Sequence, residues 1–427
     1  MRWGAGYCSR TSNSCLQISG IIGDTMKVLY LHPAGAFGGA SKSLIELFGL
    51  LREAGVSGTV LTPGGSAASA FSAAGMSVRT ARGLSQFDNT RYGYYRRLRW
   101  LIVFRELYFL PFSLLAVWKL RRERFDLLHI NEITLLPLGI VAKRLLRLPM
   151  VVHVRSLQRV PGTGWRTRLL NRWLRKNTDV VVAIDRTVAN TLEDNLPLAI
   201  IHNGLRVNAL PGQYLPGRNL GDPVRIGFLG VLIALKGIYE LVEAMRILKE
   251  RGVPVECIVA GENARELSGI RAWALRILGF ARNVRAELEA LINEYGLQQH
   301  VQLLGFVGEV HSLYPQIDIL CFPSHLNAAG RPVFEAAFYG VPSVVAVADP
   351  MPDAIVDGVT GIAIPRSDPV LIADALQRLT EDAGYRQRLG DQARVWATEN
   401  FSIADNAQRM LQIYFGLLPV FDEKASA

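Results

Sequence analysis

Short runs of consecutive apolar and β-branched residues alternate along nearly the whole chain with longer amphipathic stretches. That alternation predicts parallel strands connected by helices. The strand-like runs of the first half are Val28–His32, Gly58–Thr62, Leu127–Ile130, Met150–Val154, Val180–Ile184 and Ala199–His202. A Pro/Gly-rich segment over 209–223 then breaks the pattern and reads as an interdomain linker. The alternation restarts with Arg225–Leu229, Glu256–Ala260, Val301–Leu304, Ile317–Phe322, Ser343–Val347 and Gly361–Ile364. The expected fold class is therefore α/β, with two doubly wound domains that face each other across an interdomain cleft at the carboxyl ends of their strands. Residues 267–289 read as an extra amphipathic helical insertion without an assignable role.

Length and composition agree with this division. A chain of 427 residues that is 50% hydrophobic exceeds one ordinary core. The most apolar stretch, Trp100–Trp118, is interrupted by Arg105, Glu106 and Pro111, so it is expected to pack on protein or lie at an interface rather than span a bilayer. Cys8, Cys15, Cys257 and Cys321 form no metal-like cluster and fit a reducing cytosol. Gly20–Gly23 is too short for the apolar core of a secretion signal, and Met26–Leu31 is a clean first strand. Residues 1–25 accordingly read as a disordered extension ahead of a natural start at Met26.

Charge is uneven. Residues 1–210 hold 28 Lys and Arg against 12 Asp and Glu, a net +16, whereas the remainder holds 19 against 25, a net −6. Within the basic half, Trp100–Phe104 and Trp165 with Trp173 interleave apolar and aromatic residues among the arginines. That mixture suits an anionic membrane surface better than nucleic acid, for which no binding module is present. Solvated outer helices of an α/β domain are the plainer reading.

The densest candidate chemistry lies in 323–342, PSHLNAAGRPVFEAAFYGVP, where a strand end, a glycine loop and a helix start follow in succession. Pro332 suits the first turn, so backbone N–H groups near Gly330, Arg331 and Val333 would face a phosphate or diphosphate. Glu335, one turn into the helix, could accept from a ribose diol, and phosphate plus ribose means a nucleotide. Gly38-Gly39-Ala40 similarly ends the first strand region and opens a helix where a ligand can approach the backbone. Lys236-Gly237 follows Arg225–Leu229 and Gly230 in the same way.

Taken in order, the pieces MKVLYLHPAGAFGGASKSLIEL, DLLHINE, PMVVHVRS, VVVAIDRTVANTL, IIHNGL, IGFLGVLIALKGIYELVEAM, VQLLGFVGEVHSLYPQIDILCFPS and NAAGRPVFEAAFYGVP resemble the family-four retaining glycosyltransferases over roughly Met26–Leu418. The resemblance implies the GT-B fold of two facing Rossmann-like domains: 26–210 on the acceptor side, a linker at 211–223, 224–400 binding a nucleotide sugar, and 401–427 as a helix crossing back. It implies catalytic roles for His153 beside the donor sugar, for Lys236 at the donor pyrophosphate and for Asn327 at the position of the first Glu of the family's Glu-x7-Glu motif. Donor-binding roles fall on Gly38, Gly39, Ala40, Arg155, Gly230, Lys236, Gly330, Arg331, Pro332, Val333 and Glu335. Val231 stands where the family carries an Arg, with Arg155 and Arg331 as substitute cations, Arg331 favoured.

The implied reaction moves a sugar from a UDP- or GDP-linked donor to a hydroxyl of a glycan or lipid-linked acceptor, with retention and without a metal or other cofactor. The setting it implies is cell-surface polysaccharide or glycolipid synthesis, cytoplasmic and peripheral on the inner face of the membrane. The alternative, motivated by Val231 and Asn327, is a catalytically weak or inactive relative that binds nucleotide sugar or glycan as a scaffold or regulator.

Overall fold

The computed structural model describes residues 25–91, 102–159, 164–205, 221–263 and 283–418. Residues 1–24 of the expected extension, 211–220 of the expected linker and 267–282 of the expected insertion lie outside this set. The chain divides into two compact units, Met1–Gly204 with Ile403–Ala427, and Leu205–Ser402.

In unit 1 the strands are β1 (Met26–Leu31), β2 (Val56–Thr62), β3 (Ser77–Thr80), β4 (Leu127–Ile130), β5 (Met150–Val154), β6 (Val180–Ala183) and β7 (Leu198–Ile200). The helices are α1 (Gly39–Glu53), α2 (Gly65–Ala73), α3 (Ile102–Leu120), α4 (Leu136–Leu146), α5 (Gly164–Asn177) and α6 (Arg186–Ala189). All strand pairs are parallel, in the order β3-β2-β1-β4-β5-β6-β7. Because side chains alternate across a strand, β1 sends Leu29 and Leu31 into one core and Val28 and Tyr30 into another. The run is apolar throughout because both faces are covered.

Unit 2 repeats the plan with β8 (Val224–Leu229), β9 (Val255–Ala260), β10 (Val301–Gly305), β11 (Ile319–Phe322), β12 (Ser343–Ala346) and β13 (Gly361–Ile364). Its helices are α7 (Ile238–Glu250), α8 (Val284–Glu294), α9 (Arg331–Phe338), α10 (Pro369–Glu381) and α11 (Ala383–Phe401). The order is β10-β9-β8-β11-β12-β13, again all parallel. Both sheets reverse direction of growth beside their first strand, at β1/β4 and β8/β11, which is where doubly wound sheets bind ligands.

The last helix, α12 (Ile403–Leu417), belongs to unit 1, where Ala407, Met410 and Tyr414 are buried against Tyr30 and Leu44. The segments that leave and re-enter unit 1 run side by side. The Leu205 N–H donates to the Phe401 carbonyl at 3.0 Å, and a Cβ on Gly204 would come within 2.6 Å of Ile403 Cα. Among the described helices, none is long and apolar enough to cross a membrane.

Candidate functional site

In unit 2 the loop after β8 folds onto the loop after β11. Ala234–Lys236 forms a single 3-10 turn, and Gly237 closes it at φ 75° before α7 begins. A side chain at Gly237 would drive into the Pro323 carbonyl oxygen, so only glycine allows this approach. The Leu235 carbonyl accepts from the His325 N–H at 3.0 Å and from Ser324 Oγ at 3.2 Å, which locks the two loops together.

This lock places Lys236. Its Nζ lies 4.6 Å from the centre of the Phe322 ring, and burial lowers its pKa from the usual lysine value. Phe322 in turn packs on Gly330, where a Cβ would clash with the ring. The ammonium and the start of α9 therefore stand on one aromatic platform, which sequence reasoning missed because Phe322 reads simply as the end of a buried strand.

The start of α9 has Gly330 as its N-cap, in extended conformation and without a side-chain cap, with Pro332 in the first turn. This arrangement suits an anion at the positive end of the helix. The Val333 N–H already donates to the Gly330 carbonyl at 2.9 Å, and its side chain is buried, which leaves the first-turn N–H groups ahead of it to face a ligand. Gly230, at φ 150°, has its N–H engaged by the Ala260 carbonyl at 3.0 Å, while a Cβ there would meet nothing within 4 Å.

The charged residues differ from expectation in instructive ways. Arg331 is not an independent cation: its Nε donates to Glu335 Oε1 at 2.7 Å, one helical turn away. The other Glu335 oxygen accepts from the Tyr314 hydroxyl at 2.5 Å, and the residue is 4% exposed. Glu335 thus anchors the helix start internally, and any bond to a ribose must use its remaining lone pairs. Asn327 sits at φ 52°, a left-handed conformation that asparagine tolerates better than most residues. Its Oδ1 accepts from the Ala348 N–H at 2.8 Å, tying the loop after β11 to the loop after β12. Val231, where the resemblance places an arginine, is 47% exposed.

In unit 1, β5 runs through Val154, so His153 is inside the strand and 2% exposed. Its ring lies 5.5 Å from that of His129, and its Nδ1 accepts from Arg155 Nη2 at 3.3 Å. Burial and the Arg155 charge hold the His153 pKa well below the usual histidine value, with His129 adding to the effect. Arg155 is the first residue beyond the strand. It donates to the Asn131 carbonyl and Oδ1 at 3.1 Å each and to Asn203 Oδ1, so it ties these loops together while keeping its positive charge. Asn131 also donates to His32 Nδ1 at 2.9 Å and to the Ala40 carbonyl at 3.2 Å.

Gly38 and Gly39 open α1 in unit 1. Gly38 has an extended backbone at φ −160°, and a Cβ at either position would meet nothing within 4 Å. Neither backbone strain nor crowding within the protein calls for glycine there. The absence of side chains leaves the helix start, which has no side-chain cap, open to something outside the protein.

Two family models match the chain: "Glycosyl transferase 4-like domain" over residues 38–204 and "Glycosyl transferases group 1" over 217–396. The chain is 27% identical over 326 residues to the D-inositol 3-phosphate glycosyltransferase of Corynebacterium diphtheriae, covering 69% of this chain and 72% of that one. It is 26% identical over 183 residues to CapM, a capsular polysaccharide biosynthesis glycosyltransferase of Staphylococcus aureus, covering 43% of each. Among solved structures, HepE of Anabaena in complex with UDP and glucose superimposes with a TM-score of 0.69 at 20% identity, over 92% of this chain and 100% of that one. Two Rossmann-like units, the first matched by one model and the second by the other, establish that the chain belongs to the family-four type of GT-B glycosyltransferases.

Proposed function

We propose that the protein is a retaining glycosyltransferase that moves a sugar from a UDP- or GDP-linked donor to a hydroxyl of a glycan or lipid-linked acceptor. The observation that carries this reading is the convergence in unit 2 of the Lys236 ammonium, the Phe322 ring and the Gly330 end of α9. Among the described residues no carboxylate pairs with Lys236, so its charge is directed to a ligand. A diphosphate leaving group acquires negative charge as the glycosidic bond breaks. A half-buried ammonium and a helix N-terminus stabilise that charge where it develops, more strongly than they would in open water.

In the proposed reaction the acceptor hydroxyl attacks the anomeric carbon from the face the diphosphate leaves. The bond from that carbon to the phosphate oxygen breaks, the bond to the acceptor oxygen forms, and the hydroxyl proton passes to the departing phosphate oxygen. No protein base is needed, and positioning with charge stabilisation supplies the rate. Lys236 and α9 do the neutralising work a metal would do, so a chelator is expected to leave turnover unchanged. Glu335 accepts from the ribose diol. The acceptor belongs to polysaccharide or glycolipid synthesis at the inner face of a membrane, which the basic, apolar-faced helices of unit 1 approach.

Hydrolysis of UDP- and GDP-sugars by the purified protein, alongside calorimetric binding, tests this. Turnover that falls ~10²-fold in kcat in Lys236→Ala is expected. Absence of both binding and turnover rejects the reading. Binding without turnover across acceptors would favour the second reading, a non-catalytic relative, for which Val231 and the engagement of Asn327 with Ala348 are the specific observations.

A further inference from the structure

Unit 1 holds two adjoining chambers whose linings include none of the residues assigned to the donor. The more polar one, about 630 Å³, lies at the carboxyl edge of the sheet, where Arg82, Asp88, Thr90, Glu132, Thr134 and Ser156 stand among apolar walls that include Leu84 and Phe109. The second is apolar, about 700 Å³, lined chiefly by Leu107, Leu110 and Leu114 of α3, Val141 of α4, and Trp165 and Trp173 of α5. Gln86 lines both.

The apolar chamber follows from how α3 is held. This helix is hydrophobic nearly all round, which ordinarily means burial on every side. Polar pins fix only one face of it. The Ser85 N–H donates to Ser113 Oγ at 2.9 Å, the Gln86 N–H donates to Glu106 Oε2 at 2.7 Å, and Gly83 lies flat on the Phe109 ring. The opposite face stays in water, with Phe104 61% and Leu107 57% exposed, and Trp165 of α5 64% exposed. An apolar surface of this extent marks a binding site.

The polar chamber supplies complementary chemistry. Asp88 Oδ1 accepts from the N–H and the hydroxyl of Thr90 at 2.8 and 2.6 Å, and Glu132 Oε1 accepts from Ser156 Oγ at 3.0 Å, so carboxylates and hydroxyls suited to a sugar line one wall. Arg82 supplies a cation at the rim. Its guanidinium rests 5.4 Å from the Tyr108 ring and 5.3 Å from the Phe112 ring of α3, with no carboxylate partner among the described residues.

Resting on the reading of unit 1 as the acceptor side, we propose that the two chambers form one site for an amphiphilic acceptor. Its anionic, phosphate-bearing head lies in the polar chamber beside Arg82, and its hydrocarbon chain lies in the apolar chamber between α3, α4 and α5. The acceptor is thus lipid-linked, and the chain, not only the glycan, is recognised.

Alkyl phosphates are the probe, titrated into the full-length protein below their micelle concentrations and followed by calorimetry. Affinity is expected to rise about three- to fourfold per methylene from hexyl to dodecyl phosphate. Val141→Trp, which fills the slot from a position 39% exposed in the wild type, should weaken dodecyl phosphate at least tenfold. Leu107→Asp serves as a second surface variant, with circular dichroism confirming the fold of each. Arg82→Ala should weaken dodecyl phosphate at least fivefold and leave neutral dodecyl maltoside unchanged.

Affinity independent of chain length, or indifferent to Val141→Trp, overturns the proposal. So does a self-association that Val141→Trp disperses, which would make this face an interface between copies of the chain. Failure here is distinguishable from failure of the transferase reading. Donor hydrolysis without chain-dependent binding rejects only the lipid slot, whereas chain-dependent binding without donor hydrolysis keeps the slot and rejects the transfer.

Discussion

Lys236 and Gly237 carry different burdens although they are neighbours. Lys236 is a charge on a platform, so Lys236→Arg, which restores a cation of different shape, should recover only part of the activity lost in Lys236→Ala, while both variants melt near the wild type. Gly237 is a backbone necessity. Gly237→Ala combines a strained φ of 75° with a clash against the Pro323 carbonyl, and should lower stability by about 2 kcal/mol or more and weaken donor binding with it. Denaturant unfolding read beside donor calorimetry separates the two cases. The motif positions were legible in sequence, because spacing alone places Lys236, Gly330 and Glu335 at strand ends and a helix start. What those side chains touch was not. Asn327 at φ 52°, Arg331 held by Glu335, and Arg155 held by two asparagines are consequences of tertiary geometry that a one-dimensional pattern does not contain.

At the scale of elements, twelve of the thirteen strands among the described residues follow from apolar runs, with ends displaced by at most two residues. The missed one, β3, is SVRT, an edge strand largely in contact with water, so no hydrophobic run announces it. His153 lies within a strand whose bounds, Met150–Val154, the apolar run gives directly, but its contacts with His129 and Arg155 come from the folded sheet and are not contained in that run. The buried polar layer of unit 1 gives these elements a pH dependence. Burial lowers the pKa of His32 to about 4 and of His129 to about 3, and holds His153 well down. Each is neutral when folded and takes up a proton more readily when unfolded, so the stability it allows is complete above pH ~6.5 and falls as pH drops toward 4. Glu132 works the other way. Its carboxyl is pushed up to about 7 by burial, so its contribution is complete below pH ~4.5 and is lost as pH rises to 7. Three histidines outweigh one carboxyl, and thermal melts should show net acid destabilisation between pH 6.5 and 4. Glu132→Gln should raise the melting temperature at pH 8 more than at pH 5. Tyr414→Phe removes the hydroxyl partner of His129 Nδ1 and should cost roughly 1–3 kcal/mol, with no effect on nucleotide binding.

For the molecule as a whole, one topology is used twice with opposite charge. The basic half coincides closely with the first 204 residues of unit 1, and the acidic remainder supplies unit 2. Cosedimentation with phosphatidylglycerol vesicles should therefore fall steeply between 50 and 300 mM salt, as expected for an interface led by exposed arginines. Binding that ignores salt would instead assign the attachment to the apolar face of α3 alone.

The return of α12 to unit 1 also has a bearing on synthesis. The chain leaves unit 1 after Gly204 and re-enters it at Ile403, and the Tyr414–His129 bond joins residues 285 positions apart. On the ribosome, unit 2 has all its strands translated before unit 1 receives its last helix, so the first domain to be made is the last to be finished. Until α12 emerges, Tyr30 and Leu44 lack their cover. Nascent chains released at residue 402 should accordingly show a protease-resistant unit 2 beside a protease-sensitive unit 1, an early window in which a chaperone rather than a helix guards that surface.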